Sequence, residues 1–172
     1  MAGFLTIALF LSAGLLFNSC KDEDNFVDDN QLNANLIGTW TSNNGDWGID
    51  GYKITADHLT YGNGATVANI SNAGTIKYVS NFSSTAGVII IQYDSNHKAS
   101  YSDYSKTPPT PLPLKGDFIG VYYKNLKPGV SVQMGGAYID GGAEEATLDA
   151  AKAAFTKGRE GTYMAMYGTY LK

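Results

Sequence analysis

Apolar and polar residues alternate along most of this chain in short runs broken by Gly and Asn, and a period of two predicts strands. Leu36 to Ser42 (LIGTWTS) reads as a first strand, ended by Asn43-Asn44-Gly45. Gly51 to Thr55 alternates Tyr52 and Ile54 against Lys53 and Thr55, and His58 to Tyr61 follows, ending at Gly62-Asn63-Gly64. Asn-Gly between alternating runs is a hairpin signal, because both central residues of a type I′ turn need positive φ. Thr75 to Phe82 sets Ile76 and Tyr78 on one face against Lys77, and Val88-Ile89-Ile90-Ile91, running to Tyr93, is apolar on both faces. That run is expected to be a central strand covered on both sides.

Asp94 to Asp117 breaks the pattern, with Pro108, Pro109, Pro111 and Pro113 close together. Those prolines remove ladder donors and exclude helix and central strand; loops this long are often lids or binding loops. Phe118 to Asn125 resumes strand character, Leu126-Lys127-Pro128-Gly129 supplies a turn, and Val130 to Met134 alternates again towards Tyr138. The period then changes. Leu148, Ala151 and Phe155 recur at helical spacing, with Thr147 as N-cap and Gly158 as C-terminal stop. A last strand is expected over Gly161 to Leu171, with Tyr163, Ala165 and Tyr167 on one face and Met164 and Met166 on the other. Eight strands in hairpin sequence make an antiparallel meander, whose edges are commonly removed by closure into an up-and-down barrel.

Before this pattern lies a different segment. An uncharged apolar run from Phe4 to Phe17 leads through Asn18 and Ser19 to Cys20. It is shorter than the roughly 20 apolar residues of a bilayer span and has the length of a secretory h-region with its cleavage site. Cys20 is the chain's one cysteine, so it has no internal disulfide partner, and lipidation accounts for it. The junction resembles the relaxed lipoboxes of spirochaete-type lipoproteins, with Phe17 where Leu is usual and Asn18 where a small residue is usual. The expected organisation is a signal peptide over 1–19, a lipidated tether over 20–35 and a folded domain over 36–172. The acidic, Asn-rich stretch after Cys20 lacks the apolar groups needed to order it. Its opening Lys21-Asp22-Glu23-Asp24 reads as solvated linker and also resembles a surface-export signal.

Gly38-Thr39-Trp40 on the first strand resembles the G-x-W signature of lipocalins. The late helix before a terminal strand is similar to theirs as well. Taken whole, the mature chain resembles small spirochaete-type lipoproteins with lipocalin-like domains, most clearly in DFIGVYYKNLKPGVSVQM (117–134) and GGAEEATLDAAKAAF (141–155). The resemblance implies a mainly β fold, an antiparallel up-and-down lipocalin-like barrel with one helix before the last strand; a β-sandwich is the alternative. It also implies an envelope protein, lipid-anchored at the outer membrane, that holds a small apolar or amphipathic ligand. The alternative is a surface interaction lipoprotein in which the barrel is scaffold for a protein partner.

Charge and candidate chemistry narrow this further. A net charge of -4 with no basic stripe argues against nucleic acid. His58 and His97 show no metal-ligand spacing, and no G-x-S-x-G elbow is present. Glu144-Glu145 suits a helix N-terminus, and the paired glycines 135–136 and 141–142 suit bulges and turns. No enzyme, metal or cofactor is expected. The twelve tyrosines stand out, since Tyr pairs an apolar face with a polar tip. Tyr52, Tyr78, Tyr93, Tyr123, Tyr163 and Tyr167, at alternating strand positions, are candidate ligand contacts or core. Tyr101 and Tyr104 are candidate contacts in the long loop.

Overall fold

The computed structural model describes residues 30–43, 48–94, 102–103, 110–111, 116–137, 144–163 and 168–172. The expectations for Cys20 and the signal segment, and for His97, Tyr101, Tyr104 and Tyr167, fall outside these residues.

The chain is mainly β and closes into an eight-stranded antiparallel barrel. Its strands are β1 (Gly38–Asn43), β2 (Ile49–Ile54), β3 (His58–Asn63), β4 (Asn69–Ser83), β5 (Ala86–Tyr93), β8 (Phe118–Lys127), β9 (Ser131–Gly136) and β10 (Gly168–Leu171). Two short strands, β6 (Ser102–Asp103) and β7 (Thr110–Pro111), pair with each other between β5 and β8. The order around the barrel is that of an up-and-down meander, and β10 closes it against β1 at Thr41↔Leu171. Because neighbouring strands are antiparallel, connections sort to two ends. The links β1–β2, β3–β4, β5–β8 and β9–β10 lie at one end, here the mouth. The three tight turns lie at the other, with residues 33–37 and Lys172.

The end opposite the mouth is plugged. A 3-10 turn over Ala34–Leu36 puts Leu36 in the core, and the Trp40 indole N–H donates to the Leu36 carbonyl at 2.7 Å. Lys172 completes the plug, donating to the Ile37 carbonyl at 2.8 Å with its ammonium 4.9 Å from the Trp40 ring. Preceding residues join in: the Asn30 side chain accepts the Val79 N–H, and the Gln31 carbonyl accepts the Asn81 side-chain amide. Residues 30–35, expected as part of the tether, are therefore bound to the barrel. Asn side chains offer the donors and acceptors that apolar counting overlooks.

Side chains of alternate strand residues fill the interior. Trp40, Tyr52 and Tyr61 form one cross-strand row, and Val79, Ile89, Val121 and Gly136 form another. Large inward rings fit because glycines face them. A Cβ on Gly87 would stand 2.8 Å from the Tyr123 ring, and one on Gly168 would stand 2.6 Å from the Tyr170 ring. As expected, β5 is covered on both faces, with Val88, Ile89, Ile90 and Ile91 at most 1% exposed. The outer cover is α1 (Leu148–Ala154), capped by the Thr147 hydroxyl accepting from Ala150 N–H at 3.2 Å. Its C-cap Phe155 presses on Gly120, the register partner of Ile90.

Several boundaries differ from the sequence reading. Strand β4 starts at Asn69, six residues before the first alternating position, since ladder bonds there are made by an Asn- and Gly-containing run without strand propensity. The Gly62-Asn63-Gly64 segment is no two-residue hairpin. Strand β3 runs through Asn63, and the turn that follows carries Gly64 at φ 94° and the buried Val67 at φ 55°. Strand β8 continues through Leu126 and Lys127 into the expected turn. Helix α1 stops at Ala154, and Gly158 lies in a separate 3-10 turn. The last strand is the largest correction: Glu160–Tyr163 is helical (α2), and the described terminal strand is Gly168–Leu171. Both faces of the expected stretch were apolar, so its alternation carried no inside–outside information.

Candidate functional site

Residues facing the lumen near the mouth form an aromatic cluster around one carboxylate. Asp50 and Tyr52 lie two apart on β2 and so share its inward face. Tyr61 is the register partner of Tyr52 on β3. Tyr170 on β10 arrives from the far end of the chain, where closure of the barrel brings it against the same group. The Tyr61 hydroxyl donates to Asp50 Oδ2 at 2.7 Å, and the Tyr170 hydroxyl approaches the same oxygen at 3.5 Å. The Tyr52 ring lies 4.9 Å from that of Tyr61, tilted by 43°, and 5.0 Å from that of Tyr170, edge-on at 81°. Both are favourable aromatic geometries.

Electrostatics follow from this packing. Burial pushes the Tyr52 phenol well above its usual range, and repulsion of its phenolate by the ionised forms of Tyr170 and Tyr61 and by the Asp50 carboxylate pushes it further. The Gly136 N–H, donating to the Tyr52 oxygen, opposes them. Tyr170 is also raised, first by burial and then by the Asp50 carboxylate, with a hydrogen bond from Tyr52 acting the other way. These phenols are thus neutral donors and acceptors at ordinary pH.

Gly136 marks the space beside the cluster. It faces inward, as the partner of Val121, yet it is exposed to solvent. A Cβ built on it would meet no heavy atom of the described residues within 4 Å. Gly136 is thus an inward-facing rim position at the end of β9, its N–H at the Tyr52 hydroxyl. Asp50 and Tyr61 are likewise only half-buried.

The tyrosines expected from the sequence are divided among different roles. Tyr52 belongs to the cluster. Tyr123 is buried deeper in the lumen, donating to Asn81 Oδ1 at 2.6 Å, and serves as core. Tyr93 is buried at the end of β5, with its N–H donating to the Asp117 carbonyl. Tyr78 does not face the lumen. A bulge inserts Lys77 between Ile76, opposite Ile91, and Tyr78, opposite Ile90, so Tyr78 is turned to the outer face. There the Lys152 ammonium of α1 sits 4.3 Å from its ring centroid. Tyr163 lies on α2, away from the expected strand. Gly38 and Trp40 are at the plugged end, Gly38 at φ 137°, where a Cβ would stand 2.9 Å from Lys172 Cε.

Asp50, Tyr61 and Tyr170 were not singled out by sequence reasoning. Tyr61 follows Leu59 at strand spacing and could have been assigned inward, but nothing local relates Tyr170 to Asp50, 120 residues away. Elsewhere, His58 pairs with Asp94 at 3.1 Å on the half-exposed surface. No group of three or more His, Cys, Asp or Glu among the described residues is placed to hold a metal ion. The chain matches no known family model, curated protein or solved structure.

Proposed function

We propose that this chain is an envelope lipoprotein, anchored through an acylated Cys20, whose lipocalin-like barrel holds a small apolar or amphipathic ligand at its mouth. The observation that carries the ligand reading is the solvent-reached, inward-facing Gly136 beside the Tyr52 hydroxyl. Binding sites are concave and mostly apolar, with a few convergent polar groups to fix orientation. The half-buried ring of Tyr61, packed on Tyr52, supplies apolar surface, and the Tyr61 hydroxyl with the half-buried Asp50 supplies polar groups. The anchor rests on the sequence alone: an h-region-length apolar run ending at a lone cysteine. Two or more acyl chains on that cysteine give stable membrane attachment without a basic surface.

The test is native mass spectrometry of the mature protein, purified gently from the cells that make it. A reproducible adduct that organic extraction removes is expected, and Gly136→Phe, which fills the mouth, should abolish it. A clean mass for the native protein, together with unchanged behaviour of Gly136→Phe, refutes the pocket and moves the reading to an interaction lipoprotein using the barrel as scaffold. The anchor is checked separately by labelled palmitate, whose incorporation should vanish in Cys20→Ala.

A further inference from the structure

Building on the lipid anchor proposed above, we infer that the plugged end of the barrel is a membrane-contact face, whose Ile37, Val130 and Leu171 enter the interface of the bilayer that holds Cys20. The described residues expose five large apolar side chains, and three of them are these, at 41%, 59% and 57%. They come from distant parts of the chain and gather around Lys172. The Lys172 N–H donates to the Val130 carbonyl at 3.2 Å, and its ammonium donates to the Ile37 carbonyl at 2.8 Å. Leu171 precedes it on β10, in register with Ser131. Val130 follows the exposed Pro128-Gly129 tip of the β8–β9 turn, and its N–H donates to the Lys127 carbonyl at 2.9 Å. A single exposed apolar side chain needs no explanation, but three gathered around one residue mark a contact surface.

The chain that leads to this face indicates what covers it. The Asn33 side chain donates to the Ser84 carbonyl in the β4–β5 turn at 3.0 Å, and Leu36, next to Ile37, is buried in the core. Ten residues, 20–29, join Cys20 to Asn30, and ten residues reach at most roughly 33–36 Å even when fully extended. The anchor therefore keeps this end near the bilayer, where a contact too weak to bind a free protein is populated at high effective concentration. Charge agrees. The segments 30–43, 125–136 and 168–172 hold Lys127 and Lys172 and no Asp or Glu, in a chain of net charge -4. The three turns at this end contain one carboxylate, Asp57. The exposed Lys127 and Lys172 flank the apolar groups and suit anionic headgroups, whose attraction reaches about 8–10 Å at ordinary salt. Apolar burial and lysine attraction together are what hold a surface at the membrane interface. A second copy of this chain fits less well, because a self-complementary pairing would set the lysines of the two faces against each other. With this end on the bilayer, the mouth faces the aqueous phase.

The test is spin-label accessibility on the mature lipoprotein, reconstituted in vesicles of phosphatidylglycerol and phosphatidylcholine in equal parts. Acylation blocks the Cys20 thiol, so a label on Val130→Cys is the only one in the chain. Thr66→Cys, exposed in the β3–β4 link at the mouth, is the reference. At position 130, relaxation by oxygen, which concentrates in lipid, is expected to exceed relaxation by a water-soluble nickel chelate severalfold. At position 66 the order is expected to reverse. Adding Lys127→Glu, or leaving out phosphatidylglycerol, should shift the label at 130 towards water. Should Val130→Cys not fold, Leu171→Cys gives a second label on the same face with the same expected result. A label at 130 that stays in water on vesicle-bound lipoprotein overturns the membrane face while the anchor stands. Spin–spin broadening between labels at 130 assigns the face to a second copy and overturns it equally. A protein that carries no palmitate and does not float with the vesicles overturns both readings.

Discussion

Replacing Gly120 with Ala tests how α1 is held on the barrel. Gly120 lies on the outer face of β8, and a Cβ there would stand 2.7 Å from Phe155 Cγ and 3.0 Å from both ring Cδ atoms. Ordinary contact begins near 3.4 Å, so the ring must retreat by some tenths of an ångström. It has little freedom to do so. Phe155 is 1% exposed, and its N–H is tied to the Ala151 carbonyl at 2.8 Å, so moving the ring moves the end of the helix. Overpacking of this kind costs about 1–3 kcal/mol, or roughly 3–10 °C in Tm for a domain of this size. Urea unfolding followed by tryptophan fluorescence measures it, with Gly158→Ala as control because a Cβ there meets nothing within 4 Å. Phe155→Leu should partly relieve the clash, so the double variant is expected to be more stable than the sum of the singles by about 1 kcal/mol. A Gly120→Ala midpoint equal to that of the control, or strict additivity in the double variant, refutes the account.

Two further outcomes follow from the interior. Tyr52 and Tyr170 have folded-state pKa values raised above the unfolded tyrosine value of 10.0. Their neutral forms therefore stabilise the fold fully below that pH, and the contribution is lost as pH rises through it and beyond. Stability should fall by up to about 2–3 kcal/mol per pH unit there, and tyrosinate absorbance should show a fraction of phenols ionising only on unfolding; smooth titration of every tyrosine in the folded protein would contradict this. Tyr123→Phe withdraws the 2.6 Å donor from the buried Asn81 amide and should cost about 1–2 kcal/mol in urea unfolding with an unchanged slope. A wild-type midpoint would show that this bond contributes nothing net.

Local pattern determined what depends on neighbours in the chain. Period-two alternation specified β structure, and the doubly apolar run at 88–91 specified a strand covered on both faces. The Thr147 cap with the spacing of Leu148 and Ala151 specified the helix. Tertiary structure decided what depends on distant residues. One inserted residue, Lys77, turns Tyr78 from the lumen to the underside of α1, and a bulge has no signature in alternation. Asn30 and Gln31 look like solvated tether in sequence, yet they satisfy polar groups of β4 that they meet only after the barrel forms. The cluster itself is the clearest case. Asp50 and Tyr170 are adjacent because β10 closes the sheet between β9 and β1, so closure, a property of the whole sheet, assembles the site.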